Sequence, residues 1–334
     1  METTSMMRAV TQDSYGPPSV LHVESIPVPS PAPGEVLVRV RAAGVDAGTW
    51  HLTTGRPYLM RAIGFGWSGP KARVRGLGFA GVVEAVGTDA VTTGSAHGRR
   101  VGDAVFGSAD GALAEFVVAK ADDLVGIPDG VGFEEAAALP VSGVTALQAV
   151  KRAGIRDGDA VLVLGAAGGV GHLAVQLAVA RGGRVTGVCS GPKAPLVREL
   201  GAVEVLDYTT TDVLALGRIY DAIIDTAGNR PLAALRRILS PTGSVVLVGG
   251  ESGGALLGGI QRTFGAALLD RFTQQQLVGL MARERTDDLR ELAALAAEGT
   301  LRPVIDAVYP LERTAEAVDH VGTGHARAKI VVAP

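Results

Sequence analysis

Ala166-Ala167-Gly168-Gly169-Val170-Gly171 is the stretch that decides the fold of this chain. An apolar β-rich run, residues 160–164, precedes it, and residues 171–181 follow with a helix-forming composition. Strand, glycine turn and helix in that order make a dinucleotide fingerprint with alanine at its first glycine position. Gly168 lets backbone approach a pyrophosphate, Gly171 lets helix pack on strand, and the helix start offers free N–H groups to phosphate, with Gly169 and Val170 in the same turn. Residues 160–180 carry no charge and are long enough to suggest a membrane span. The glycines at the centre would break a spanning helix, so a strand, a turn and a buried helix are expected instead, and no membrane partner.

Outward from the fingerprint the pattern alternates. Apolar strands are expected at 184–188, 222–224 and 244–248, and helices at 193–200, 232–239 and 287–298, the second stopped by Pro241 and Gly243 and the last by Gly299. That is a doubly wound parallel sheet. The first third reads differently, with short β-rich runs at 36–40, 81–86, 103–106 and 114–119 between Pro and Gly, which predicts a mostly antiparallel barrel. Residues 50–75, rich in Gly, Arg and aromatics without a period, read as a mobile loop over a site. Residues 301–334 return to short β runs and are expected to rejoin the first domain. The division predicted is 1–127 with 300–334 as one domain and 128–299 as the other.

The chain has 334 residues, enough for two domains. With 47% hydrophobic and 19% charged residues and a net charge of −3, it offers no basic surface for nucleic acid and no disordered tail. A single cysteine, Cys189, excludes an internal disulfide and a structural zinc lobe built of thiolates, which fits a cytoplasmic setting. Residues 1–10 contain no signal-peptide core, and the C-terminus no anchor sequence.

The choice of nicotinamide cofactor falls where the second strand of the parallel sheet ends, about 20 residues beyond the fingerprint, because an acid there holds a free ribose 2′-hydroxyl. The residues present are Val188-Cys189-Ser190-Gly191-Pro192-Lys193. A hydroxyl and a cation suit a 2′-phosphate, so NADPH is expected over NADH, with Lys193 as an ordinary surface lysine the competing reading.

In order along the chain, Pro33-Gly34-Glu35-Val36-Leu37-Val38, Gly76-Leu77-Gly78-Phe79-Ala80-Gly81-Val82-Val83, Val101-Gly102-Asp103-Ala104-Val105-Phe106-Gly107, Ala138-Leu139-Pro140-Val141-Ser142-Gly143-Val144-Thr145-Ala146, the fingerprint, and Leu200-Gly201-Ala202 with Asp207-Tyr208 form a series. Over nearly its whole length the chain resembles the medium-chain dehydrogenase/reductase superfamily, in its quinone-oxidoreductase branch. The resemblance implies a GroES-like, mostly antiparallel β-barrel catalytic domain, a Rossmann cofactor domain, and a homodimer. It implies that Thr145 reaches the nicotinamide, that Ser190, Lys193 and Tyr208 surround the adenosine 2′-phosphate, that Thr226, Gly249 and Gly250 flank the nicotinamide ribose, and that Lys329 approaches the cofactor. Zinc-dependent members place Cys, His and Cys where this chain is aligned to have Asp46, Leu77 and Val141, so no metal site is expected. The branch usually has Asn where Asp46 stands, and Asp where Thr49 and Gly78 stand. An ionised Asp46 cannot donate to a carbonyl oxygen, so it is either protonated in a dry pocket or serves another purpose.

Hydride delivered to a quinone or an α,β-unsaturated carbonyl compound asks little of motif sequence, only placement, exclusion of water and a hydrogen-bond donor. His51 is the first candidate proton donor and Tyr58 the second, each with a bystander role as the alternative. Trp50, Tyr58, Phe65 and Trp67 are either the lining of an apolar acceptor pocket or packing within the loop. Two rival functions stay open: an enoyl or tailoring reductase of a biosynthetic pathway, and a cofactor-binding redox sensor or structural protein that has lost catalysis.

Overall fold

The computed structural model describes residues 5–61, 66–87, 98–228, 230–249, 262, 265–266, 269–270 and 273–334. Two expected positions, Phe65 and Gly250, lie outside the described residues. Strands β1 (Met6–Thr11) and β2 (His22–Pro27) form an antiparallel pair. They are followed by β3 (Glu35–Val45), β4 (Gly78–Val86), β5 (Ala104–Ser108), β6 (Phe116–Lys120) and β7 (Val125–Gly126), all antiparallel to their neighbours.

The parallel sheet contains β8 (Ala160–Leu164), β9 (Arg184–Cys189), β10 (Glu204–Asp207), β11 (Tyr220–Asp225), β12 (Leu239–Val248) and β13 (Gln276–Leu280), in the order β10-β9-β8-β11-β12-β13. The order reverses at β8, so the turn after β8 opens onto the crevice where such sheets bind ligands. Val161, Leu162, Val163, Ile223, Ile224, Val245 and Val246 are fully buried, which is why these strands read as unbroken apolar runs. The last strands, β14 (Ile305–Pro310) and β15 (Lys329–Ala333), pair parallel with each other, and β15 pairs with the end of β3, so the C-terminal segment closes on the first sheet as expected.

Differences from the sequence reading have local causes. The helix expected at 232–239 ends at Arg237, because Leu239 already pairs with Tyr220, and Pro241 and Gly243 lie inside β12. Residues 50–75 are not all loop: Ala47–Thr54 is a helix closed by Gly55 in the left-handed region at φ 63°, and Tyr58–Met60 adds a further turn. Among the described residues no helix is long and apolar enough to cross a membrane.

Candidate active site

The fingerprint lies in the turn from β8 into the Gly171–Ala180 helix. Gly165 turns the chain at φ 77°, and a methyl group at Gly171 would collide with the Gly165 carbonyl oxygen. The N–H of Gly168 closes back on that carbonyl at 2.9 Å, while His172 donates to Gly168 O at 3.1 Å. The N–H groups of Gly169, Val170 and Gly171 have no partner among the described residues. A pyrophosphate would take them, so the chain's own geometry fits a dinucleotide.

A cavity of about 520 Å³ runs along this turn between the two sheets. Toward one end it is lined by Ser190, Lys193 and Tyr208, as the sequence predicts, and by Arg230, which sequence reasoning missed. Lys193 donates to Ala326 O at 2.9 Å, and burial lowers its pKa. Asp207, from the neighbouring strand, is an acid near the 190–193 turn. Its carboxylate accepts from Thr209 N and Oγ1 at 2.9 and 2.8 Å, and those bonds hold its pKa low. Arg230 is tied at Nη1 to Asp212, 2.8 Å away. Thr226 donates to Leu164 O at 2.7 Å, and Gly249 also borders the cavity. Ala166 is buried beneath the turn, and its N–H bonds Val188 O.

The other end gathers Asp46, Ala47, Gly48, His51, Ser142, Thr145 and Lys329. Asp46 directly follows β3 and stands at the N-cap of the Ala47–Thr54 helix, yet its side chain caps nothing. Its Oδ1 instead accepts from Ser142 Oγ at 2.6 Å and from the Lys329 ammonium. Lys329 also donates to Val45 O at 3.3 Å and to Ser142 Oγ at 3.1 Å. The ion pair is buried, 2% exposed at Lys329 and 12% at Asp46. Of the two purposes left open for Asp46, the structure supports the second: it is the counter-ion of Lys329.

Thr145 donates to Val141 O at 2.7 Å. His51 Nδ1 lies 2.8 Å from Arg56 O. A carbonyl oxygen only accepts, so Nδ1 carries the proton. Burial lowers the ring's pKa, so the neutral imidazole leaves Nε2 as an acceptor, and the donor role expected of His51 finds no support in this geometry. Tyr58 does not line the cavity; it is 38% exposed with the Arg61 guanidinium 4.8 Å above its ring. Neither do Trp50 and Trp67: Trp67 is 75% exposed, and Trp50 packs where a side chain at Gly322 would collide with it.

Sequence reasoning also missed His172. It is fully buried, with Nδ1 3.0 Å from Gly168 O and Nε2 accepting from Val304 N at 3.2 Å, and burial pushes its pKa down to about 4. Lys329 N in turn donates to Val304 O at 3.0 Å, so Val304 links the His172 beside the phosphate turn to the Asp46 cluster. The signal for His172 was a histidine that shares with Gln176 an otherwise apolar helix. The one cluster of His and acid side chains near enough to hold a metal, among the described residues, is Asp13, His22 and Glu24 on the surface, where Arg73 already pairs with both acids.

Residues 32–129 match the family model of the alcohol dehydrogenase GroES-like domain, and residues 200–332 that of zinc-binding dehydrogenase. A chloroplast envelope quinone oxidoreductase homolog of Arabidopsis thaliana is 33% identical, over 98% of this chain and 99% of that protein. Among solved structures, the quinone oxidoreductase from Coxiella burnetii superposes with a TM-score of 0.82 at 29% identity, covering 99% of this chain and 100% of that one. Mycobacterial Rv1454c, solved in complex with NADPH, gives a TM-score of 0.79 at 28% identity, covering 98% and 100%.

Proposed function

The chain belongs to the medium-chain dehydrogenase/reductase superfamily as a quinone-oxidoreductase-like oxidoreductase, and on that premise we propose that it uses NADPH to reduce a quinone or an α,β-unsaturated carbonyl compound without zinc. The observation that carries the reading is one cavity that joins the unpartnered N–H groups of 169–171 to an end lined by Lys193 and an end lined by Asp46. When bound, the cofactor supplies hydride to an electron-poor carbon. The chain's residues then bind, orient and keep water out. Gly169, Val170 and Gly171 hold the pyrophosphate, Ser190, Lys193 and Tyr208 the adenosine phosphate, and Thr145, Thr226 and Gly249 the nicotinamide side. With His51 neutral and Lys329 fully bonded, the proton that completes the reduction comes from solvent.

At the positions aligned with zinc ligands, Asp46 is engaged by Lys329, and Leu77 and Val141 have no metal-binding atoms, which supports a metal-free reaction. The domain division at 127/128 and 299/300 belongs to the same proposal, as does a homodimer joined through β13, whose outer edge has no ladder partner among the described residues. A reducing cytoplasm suits the buried, lone Cys189.

The test is spectrophotometric. Purified protein is mixed with NADPH or NADH and a simple quinone or a simple enone, and the reduced-nicotinamide absorbance is followed with and without a chelator. Loss of absorbance with NADPH, little with NADH and no effect of chelator is the expected result. Tight NADPH binding without turnover of either acceptor would replace the enzyme with a cofactor-binding protein.

A further inference from the structure

At the Asp46 end of the cavity the side-chain donors are already spent. Ser142 Oγ gives its proton to Asp46, and Thr145 Oγ1 gives its proton to Val141 O. The Lys329 ammonium has three protons and three partners, Val45 O, Asp46 Oδ1 and Ser142 Oγ. The acceptors are not spent. Both of those hydrogen bonds to Asp46 fall on Oδ1, so Oδ2 keeps its lone pairs on a side chain that borders the cavity, and His51, which borders the same cavity, has no hydrogen bond at Nε2 among the described residues. The donors that remain are the backbone N–H groups of Ala47 and Gly48, which have no partner among the described residues.

Resting on the reading above, we propose that the site selects acceptors that carry a hydroxyl beside the conjugated carbonyl, that is hydroxy-enones and hydroxy-quinones. Their carbonyl oxygen takes the free backbone N–H groups, and their O–H donates to Asp46 Oδ2 or His51 Nε2. An unsubstituted enone satisfies only half of this site and leaves a partly buried carboxylate oxygen dehydrated without a partner. A site built to bond a substrate hydroxyl discriminates strongly against the analogue that lacks it.

Binding to the protein loaded with oxidised NADP tests this without turnover. Calorimetry first measures the cofactor, then a cyclohexenone bearing a hydroxymethyl group and its ethyl isostere. The hydroxymethyl compound is expected to bind about tenfold tighter or better, as for a hydrogen bond to a charged group. Asp46→Asn, which keeps the shape and removes the charge, is expected to lose most of that preference. If Asp46→Asn no longer binds NADP, the double variant Asp46→Asn with Lys329→Met removes both charges and carries the same expectation. Equal binding of the two ligands to the wild-type complex overturns the inference while leaving the reductase reading intact, and so does a preference that survives in the variant that binds NADP. No NADP binding by the wild type overturns both.

Discussion

Lys329 and Asp46, separated by 283 positions in the chain, form a buried ion pair that joins the first residue of β15 to the residue that follows β3. Removing one member leaves the other charged and dehydrated, which costs about 3–5 kcal/mol for buried pairs, whereas replacing both with apolar groups often costs little. Lys329→Met is therefore expected to lower stability by roughly 3 kcal/mol, and Lys329→Met with Asp46→Leu to recover most of it. Urea unfolding midpoints of the two variants check the sign and the recovery.

Lys193 is the cation proposed for the adenosine phosphate, on a turn whose own residues include no acid although Asp207 of β10 stands beside it. Lys193→Glu puts a negative charge against that phosphate and is expected to raise the Kd for NADPH by about tenfold or more, the scale of a charge-assisted hydrogen bond lost. The Kd for NADH should stay within about threefold, since its ribose carries a hydroxyl there and no phosphate. Fluorescence titration with each dinucleotide reads the difference directly. Equal losses would assign Lys193 to a part the two cofactors share.

His172 gives a pH dependence with a definite sign. Its folded pKa is pushed down to about 4, below the usual value of 6.5, because the ring is buried and, to a smaller extent, because the Lys329 charge opposes its protonation. The unfolded chain therefore binds a proton that the folded chain refuses, and stability falls as pH drops from about 6.5 toward 4. The slope from this group is about 1.4 kcal/mol per pH unit at most, and it levels off below the folded pKa. His172→Gln removes the titration and is expected to flatten that part of the profile, measured by urea midpoints between pH 4.5 and 7.

What could be read from the residues alone followed the range of the interactions. Residues 160–171 announce strand, turn and helix because apolar runs and glycine act locally, and the structure repeats them within a residue. That Ser190 and Lys193 stand at a strand end beside the fingerprint was legible for the same reason, whereas Tyr208 entered only through the family resemblance; all three line the cavity. The Asp46 end was not. Its character depends on Lys329 and Ser142 arriving from distant parts of the chain, and on the bond from His51 to Arg56 O that turns a candidate donor into an acceptor. Aromatic content left Trp50 and Trp67 open between pocket lining and packing within the loop, because a large apolar side chain fits both equally well in sequence.

Ala328 is the one residue other than glycine with a positive φ among the described residues, at 65°. It is held there by two constraints. Its N–H donates to Ala167 O at 2.8 Å, in the fingerprint turn, and the next residue is committed to the Asp46 pair. An L side chain in this region costs about 1–2 kcal/mol, while glycine adopts it freely but loses more entropy on folding, about 0.5–1 kcal/mol. The difference favours glycine, so Ala328→Gly is expected to stabilise the protein by about 0.5–1 kcal/mol. Because the backbone path is kept, the Kd for NADPH should not change. Thermal unfolding with and without NADPH tests both statements, and a variant that is less stable, or that binds NADPH more weakly, would show that the alanine methyl contributes packing that outweighs the strain.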